Sequence, residues 1–218
     1  MHYLREQICG HRAGSMPEKN RRRAESFTPF TGLRMADIGC GGGLVTEPLC
    51  RLGAAVTGVD AGAENIKAAR RHAAQQNLDI DYRVTTVERL AATKEKFDVV
   101  TALEIVEHVA NPDLFLASCC ALLKKNGMLI LSTLNRTPKS FMLGIVAAEY
   151  ILRWVPVGTH DWKKFVRPSE LAKPLVQAGL AVTDISGLVY NPLSRAFSIS
   201  KTDIGVNYFL TAIKSTAG

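Results

Sequence analysis

Seven residues, Asp37-Ile38-Gly39-Cys40-Gly41-Gly42-Gly43, constrain this chain more than any other feature. They begin in the last two residues of Leu33–Ile38, which reads as a strand. They precede Leu44–Leu52, which reads as a helix stopped by Gly53. Glycines let such a turn take positive φ and let a ligand approach the backbone. The helix that follows presents unpaired N–H groups at its start. In an open α/β sheet this turn sits at the carboxyl end of a strand, where ligands bind.

The rest of the chain fits that frame. Ala55–Val59, Ile80–Thr85, Phe97–Ala102 and Gly127–Thr133 read as further strands. Glu64–Gln76 and Asp113–Lys124 read as helices between them. Strand and helix alternating at these lengths predict βαβ units and an α/β, Rossmann-like, doubly wound, mostly parallel sheet. After Pro156 the pattern changes. Pro168–Ala178 is helical, and the extended segments Ala181–Leu188 and Val206–Lys214 predict an antiparallel edge hairpin on the same sheet. Residues 31–218 form one domain in this reading, and residues 1–30 are a poorly specified tail.

Charge excludes little. Net charge is +7, but residues 1–36 carry seven Lys/Arg against three Asp/Glu, leaving twenty against seventeen in the body. So mild an excess does not make a nucleic-acid face. The five cysteines have no C-x-x-C spacing, which argues against a disulfide framework or thiolate zinc site and for a reducing compartment. No run of 18 uncharged apolar residues occurs.

A lone glycine turn is compatible with NAD, FAD or a structural bend. Three details narrow it. Asp37 leads the turn and can accept hydrogen bonds from backbone or from a ligand's ammonium. The third glycine of a dinucleotide fingerprint is missing, because Leu44 stands there. Asp60 ends the next strand, 21 residues after Gly39, where a carboxylate can take both ribose hydroxyls. The competing role for Asp60 is an N-cap. Val87 follows the third strand and packs beside an adenine, while Glu88 reads as a surface acid. Leu103 ends the fourth strand and either covers the ligand or belongs to the core. This arrangement, over residues 33–135, resembles the class I S-adenosylmethionine-dependent methyltransferases. The resemblance implies a seven-stranded sheet with one antiparallel edge strand, and donor contacts from Asp37, Gly39, Gly41, Asp60, Val87 and Leu103.

Glu104, Glu107 and His108 form a second constellation. If the segment turns helically, the i, i+3, i+4 spacing puts all three on one face. Two carboxylates and an imidazole can hold Mg²⁺ or another divalent cation. A phenol with pKa about 10 is mostly protonated at neutral pH, and a cation would lower that value and orient the oxygen. Without a metal, His108 or His160 is a candidate general base. The alternative is a purely structural cluster.

Further along, Ser132-Thr133-Leu134-Asn135-Arg136, Ala148-Glu149-Tyr150-Ile151-Leu152, Val155-Pro156-x-Gly158-Thr159-His160-Asp161, Tyr190-Asn191-Pro192 and Val206-Asn207-Tyr208 follow in order. With Glu104–Val109 they resemble the ubiquinone-biosynthesis O-methyltransferase family of bacteria and mitochondria, from about Leu33 to Lys214. The resemblance implies methylation of ring hydroxyls on a polyprenyl catechol and on demethylubiquinol. It implies donor binding at Gly39, Asp60 and Leu103, and metal binding at Glu104, Glu107 and His108. The family's N-terminal Asn-Pro-x-Arg element, whose Arg contacts the donor, is absent. Lys19-Asn20-Arg21-Arg22-Arg23 stands there instead.

Phe141–Val157 is apolar and aromatic, interrupted by Glu149 and Arg153 and flanked by Lys139, Lys163, Lys164 and Arg167. It is too short and too polar to span a bilayer. It can lie in the interface, with Tyr150 and Trp154 at headgroup level, or form a lid over the site. Residues 139–167 are thus the expected membrane contact for a polyprenyl substrate. The expected location is peripheral, on the bacterial inner membrane or the mitochondrial matrix face. The resemblance leaves room for a complex with other ubiquinone-biosynthesis proteins and implies no nucleic-acid partner. Two alternatives stand beside it: an RNA or protein methyltransferase, and a lipid-binding accessory protein with an inactive fold.

Overall fold

The computed structural model describes residues 1–14, 27–142, 162–192 and 194–215. Its centre is an eight-stranded sheet built from β1 (Arg34–Ile38), β2 (Ala55–Asp60), β3 (Asp81–Val84), β4 (Phe97–Leu103), β5 (Leu123–Leu134), β6 (Leu180–Asn191), β7 (Ala196–Ser200) and β8 (Asn207–Lys214). The spatial order is β3-β2-β1-β4-β5-β8-β6-β7. Strands β1 to β5 are mutually parallel. β8 runs antiparallel between β5 and β6, and β7 antiparallel at the edge.

The expected doubly wound α/β sheet is therefore present, with two differences. It has eight strands rather than seven, because Ala196–Ser200 turns back on β6 as an extra edge strand. Three of its five residues are exposed, and its alternation is confined to Phe197 and Ile199 against Ser198 and Ser200. The antiparallel strand placed at the edge from sequence lies inside the sheet, with β5 on one side and β6 on the other.

Period two in the strands sorts their side chains to two faces. Ala36, Val100, Leu129 and Leu131 pack on one face, under α4 (Val87–Ala92), α5 (Pro112–Leu122) and α6 (Pro168–Gln177). Met35, Val56, Val99 and Ile130 pack on the other face with α1 (His2–Gly14) and α2 (Thr46–Arg51). Alongside, α3 (Ala63–Gln75) buries Ile66, Ala69 and Ala73 near Tyr82 of β3. Local chemistry sets the helix starts. Asn111 caps α5 by accepting from Leu114 N at 3.0 Å, with Pro112 in its first turn.

The first residues are ordered by packing that the sequence reading did not foresee. Tyr3, Leu4 and Ile8 of α1 are buried in the second core cluster. Tyr3 stacks on Phe209 at 4.5 Å between ring centroids, and its hydroxyl donates to Asp184 Oδ2 at 2.8 Å. Among the described residues, all five cysteines are free and no helix is long and apolar enough to cross a membrane. Most of 139–167, including Tyr150, Arg153, Trp154 and His160, lies outside the described residues, as does Lys19–Arg23.

Candidate active site

Parallel strands β1, β2 and β4 end at the same edge, and the turns that leave them enclose a pocket of about 320 Å³. That volume lies within the range of small-ligand sites. The glycine turn forms one wall. Gly39, Gly41 and Gly43 have φ of 72°, 51° and 89°. At Gly39 the requirement is also steric, since a Cβ there would stand 2.8 Å from Ile105 Cγ1. Gly39 N and Cys40 N both donate to Val59 O, at 2.8 and 3.0 Å, which pins the turn to β2.

Asp60 braces the turn and the start of α3, although the N-cap of that helix is Gly62. Its Oδ2 accepts from Gly41 N at 3.0 Å, across the turn. Its Oδ1 accepts from Gly62 N at 2.7 Å and Asn65 Nδ2 at 3.1 Å, at the start of α3. The side chain still lines the pocket. A carboxylate carries about four acceptor positions, so one remains for a ligand hydroxyl.

Asp37 takes a different part from the one expected of it. It is buried at 3% exposure, and its oxygens accept from Thr46 Oγ1 at 2.6 Å and Thr101 Oγ1 at 2.7 Å. Burial pushes its carboxyl above the usual range, and the two hydroxyl donors oppose that. Asp37 thus ties β1 to α2 and β4 and does not line the pocket. Gly41 and Leu103 also lie outside the lining, whereas Gly39, Asp60 and Val87 line it. Sequence reasoning missed Thr86, Glu88 and Ile105, which line it too. Glu88 is half-buried there. Its position just after a strand end was the available signal.

The Glu104–His108 segment differs from the expected helical turn. Glu104 sits at φ 52°, a left-handed residue at the end of β4. Only Val106–His108 then form a short 3₁₀ turn. Glu104 Oε1 accepts from Ser132 Oγ at 2.6 Å and Asn207 Nδ2 at 2.8 Å. Glu107 is buried at 6% exposure and its Oε2 accepts from Thr133 Oγ1 at 2.9 Å. Burial, then the nearby Glu104 charge, pushes its carboxyl up to about 7. His108 turns the other way and lines the pocket beside Gly39 and Asp60. The one-face arrangement read from the spacing is therefore broken by the left-handed residue. Among the described residues no three His, Cys, Asp or Glu side chains converge as a metal-binding group.

Comparison with known proteins agrees with this geometry. Residues 36–131 match the family model described as a methyltransferase domain. Solved structures share the fold. One is magnesium protoporphyrin IX methyltransferase from Synechocystis with bound SAH, with TM-score 0.61 at 21% identity over 85% of this chain and 75% of that one. Another is an S-adenosylmethionine-dependent methyltransferase from Clostridium acetobutylicum, with TM-score 0.64 at 14% identity over 98% and 97%. Such identities speak for the fold alone. Sequence relatives go further. The chain is 54% identical over 193 residues to the ubiquinone biosynthesis O-methyltransferase of Dinoroseobacter shibae, covering 88% of this chain and 78% of the relative. It is 51% identical over 208 residues to that of Bartonella bacilliformis, covering 95% and 80%. Identity of this extent, across nearly the whole chain, makes it a methyltransferase that belongs to the ubiquinone biosynthesis O-methyltransferases.

Proposed function

We propose that the pocket holds the adenosyl part of S-adenosylmethionine and that the methyl acceptor is a ring hydroxyl of a polyprenyl catechol or demethylubiquinol. The observation that carries this reading is the convergence of Gly39, Asp60, Glu88 and His108 on one cavity. Gly39 leaves room for the donor against the backbone, Asp60 takes the ribose, and Glu88 takes the adenine amino group. Bound there, the donor supplies an electrophilic methyl group on sulfur. Displacement is in line, so holding the acceptor oxygen behind that methyl carries much of the rate. His108 is the exposed titratable side chain of the pocket and takes the phenolic proton. His160, the other candidate base, lies outside the described residues.

A divalent cation at Glu104, Glu107 and His108 is the finer reading that the side chains do not favour as placed. Two of them face hydroxyl and amide donors of β5 and β8, and the third faces the donor pocket. No step above depends on a metal. Membrane contact through 139–167 belongs to the proposal as well, because the acceptor's tail is bilayer-soluble. Its described portion includes Phe141 and Met142, 45% and 64% exposed.

The test is transfer of labelled methyl from the donor to a short-chain catechol, with and without chelator, alongside calorimetric titration of the donor. Label in the catechol, insensitive to chelator, is the expected result. Label in RNA and none in the catechol would reject the proposal. A protein that binds no donor would make it an inactive accessory fold.

A further inference from the structure

Two buried side-chain polar atoms among the described residues have no hydrogen-bond partner: Tyr82 Oη and Asn207 Oδ1. The first has the Thr46 hydroxyl for a polar neighbour. It lies wedged beneath Gly43, where a Cβ would come within 2.3 Å of it. Nothing in the fold accounts for the second.

Asn207 opens β8, opposite Leu134 at the end of β5 and Leu188 in β6. That is the edge of the sheet at which the donor pocket opens. The amide is tied to the site by its other end, since Nδ2 donates to Glu104 Oε1 at 2.8 Å. Glu104 itself directly precedes Ile105, a lining residue of the pocket. A carboxylate only accepts, so this contact fixes which end of the amide is which. The carbonyl oxygen is left as an acceptor with nothing to accept. A buried acceptor without a donor is costly, and each one in a folded protein calls for an explanation.

We infer that Asn207 is a specificity residue whose Oδ1 accepts a hydrogen bond from the hydroxyl next to the one being methylated. The inference rests on the catechol reading above and extends it. An orphan acceptor demands a donor from its ligand. A catechol has one to spare, because only one of its two adjacent hydroxyls loses its proton to the methyl transfer. A site built around a substrate hydroxyl discriminates strongly against an analogue that lacks it, since the protein's polar atom then stays unpaired.

The experiment is a cycle of two enzymes and two substrates: wild type and Asn207→Ala, each with a short-chain catechol and with the matching phenol in which the non-reacting hydroxyl is replaced by hydrogen. Differences in intrinsic phenol reactivity cancel in the ratio of the two preferences. Wild type is expected to favour the catechol in kcat/KM, and Asn207→Ala to shrink that preference by roughly tenfold. Donor affinity by calorimetry should be unchanged. Equal losses on both substrates, with the preference intact, overturn the inference while leaving O-methylation standing. Absence of transfer by wild type to either phenol overturns the catechol reading and this inference with it. Asn207→Ser repeats the cycle with a smaller change, should the alanine variant prove poorly folded.

Discussion

At Gly39 a single methyl group decides whether the donor site exists. Alanine there would combine a left-handed φ of 72° with a contact at 2.8 Å to Ile105. Strain of this kind costs about 1–3 kcal/mol, and relief would push Ile105 out of the pocket wall. Gly39→Ala is therefore expected to lower the melting temperature modestly and abolish donor binding, read by thermal denaturation and calorimetry on the same sample. Glu107 makes a prediction of opposite sign for stability. Its folded carboxyl titrates near 7, above its unfolded value, because burial and Glu104 disfavour the charge. Between about pH 4.3 and 7 the folded state holds a proton that the unfolded state has lost. Stability from this group is thus fully present below that window and falls as pH rises through it. Glu104 and, more distantly, Tyr208 are the titratable neighbours. Glu107→Gln should flatten the pH dependence of unfolding in that window and gain up to about 3 kcal/mol at pH 8. A variant with the wild-type slope would show that Glu107 keeps an ordinary carboxyl. Residue by residue, the sequence exposed what backbone chemistry demands. Gly39 and Asp60 announce themselves by type and spacing. Glu104 does not, because its left-handed φ goes with contacts to Ser132 and Asn207, residues brought near only by the sheet.

Elements with a strong period were legible, and elements held by a few long-range contacts were not. β1, β2 and β4 are short, mostly apolar segments and fall within a residue or so of their predicted bounds. Helix α1 is different. Leu4 and Ile8 stand one turn apart with Tyr3 beside them, a stripe too thin to stand out among Arg, His and Gln. What fixes it is tertiary. Tyr3 Oη, at 2.8 Å from both Asp184 Oδ2 and Thr211 Oγ1, joins residue 3 to β6 and β8. Tyr3→Phe keeps the stacked ring and removes only that link, so a loss of about 1–2 kcal/mol in denaturant unfolding is expected. Asp184 retains Ser186 and Lys201, so its charge is not stranded. An unchanged midpoint would mean that α1 is held by apolar contact alone. β7 was equally hidden, because the alternation of Phe197 and Ile199 with Ser198 and Ser200 is too short a pattern to stand out.

Over the described residues, topology gathers the candidate site and several exposed apolar side chains at one end. β8 runs antiparallel between β5 and β6, which makes β6 point the same way as the parallel strands. The β6–β7 hairpin therefore projects from the same edge as the glycine turn and the residues after β5. Phe197, 62% exposed and 5.0 Å from Tyr190 between ring centroids, sits on that hairpin. Phe141 and Met142 follow β5, and Leu44 in the glycine turn is 89% exposed. Apolar side chains left in water at this end are what the proposed lipid contact requires, and Lys164 and Arg195 are exposed cations that would serve anionic headgroups. Burying a Phe or Met side chain is worth about 1.5–3 kcal/mol. Replacing Phe141 and Met142 by serine should thus weaken co-sedimentation with anionic vesicles by at least roughly tenfold, and Phe197→Ser should weaken it further. Phe141 and Phe197 each keep one ring contact, with Trp162 and Tyr190, so melting temperatures should fall only slightly. Turnover of a soluble short-chain catechol should hold, while methylation of a long-chain acceptor embedded in vesicles should fall with the loss of binding. Vesicle binding that survives all three substitutions would place the lipid contact elsewhere on the molecule. Loss of turnover on both acceptors would show instead that these side chains shape the active site.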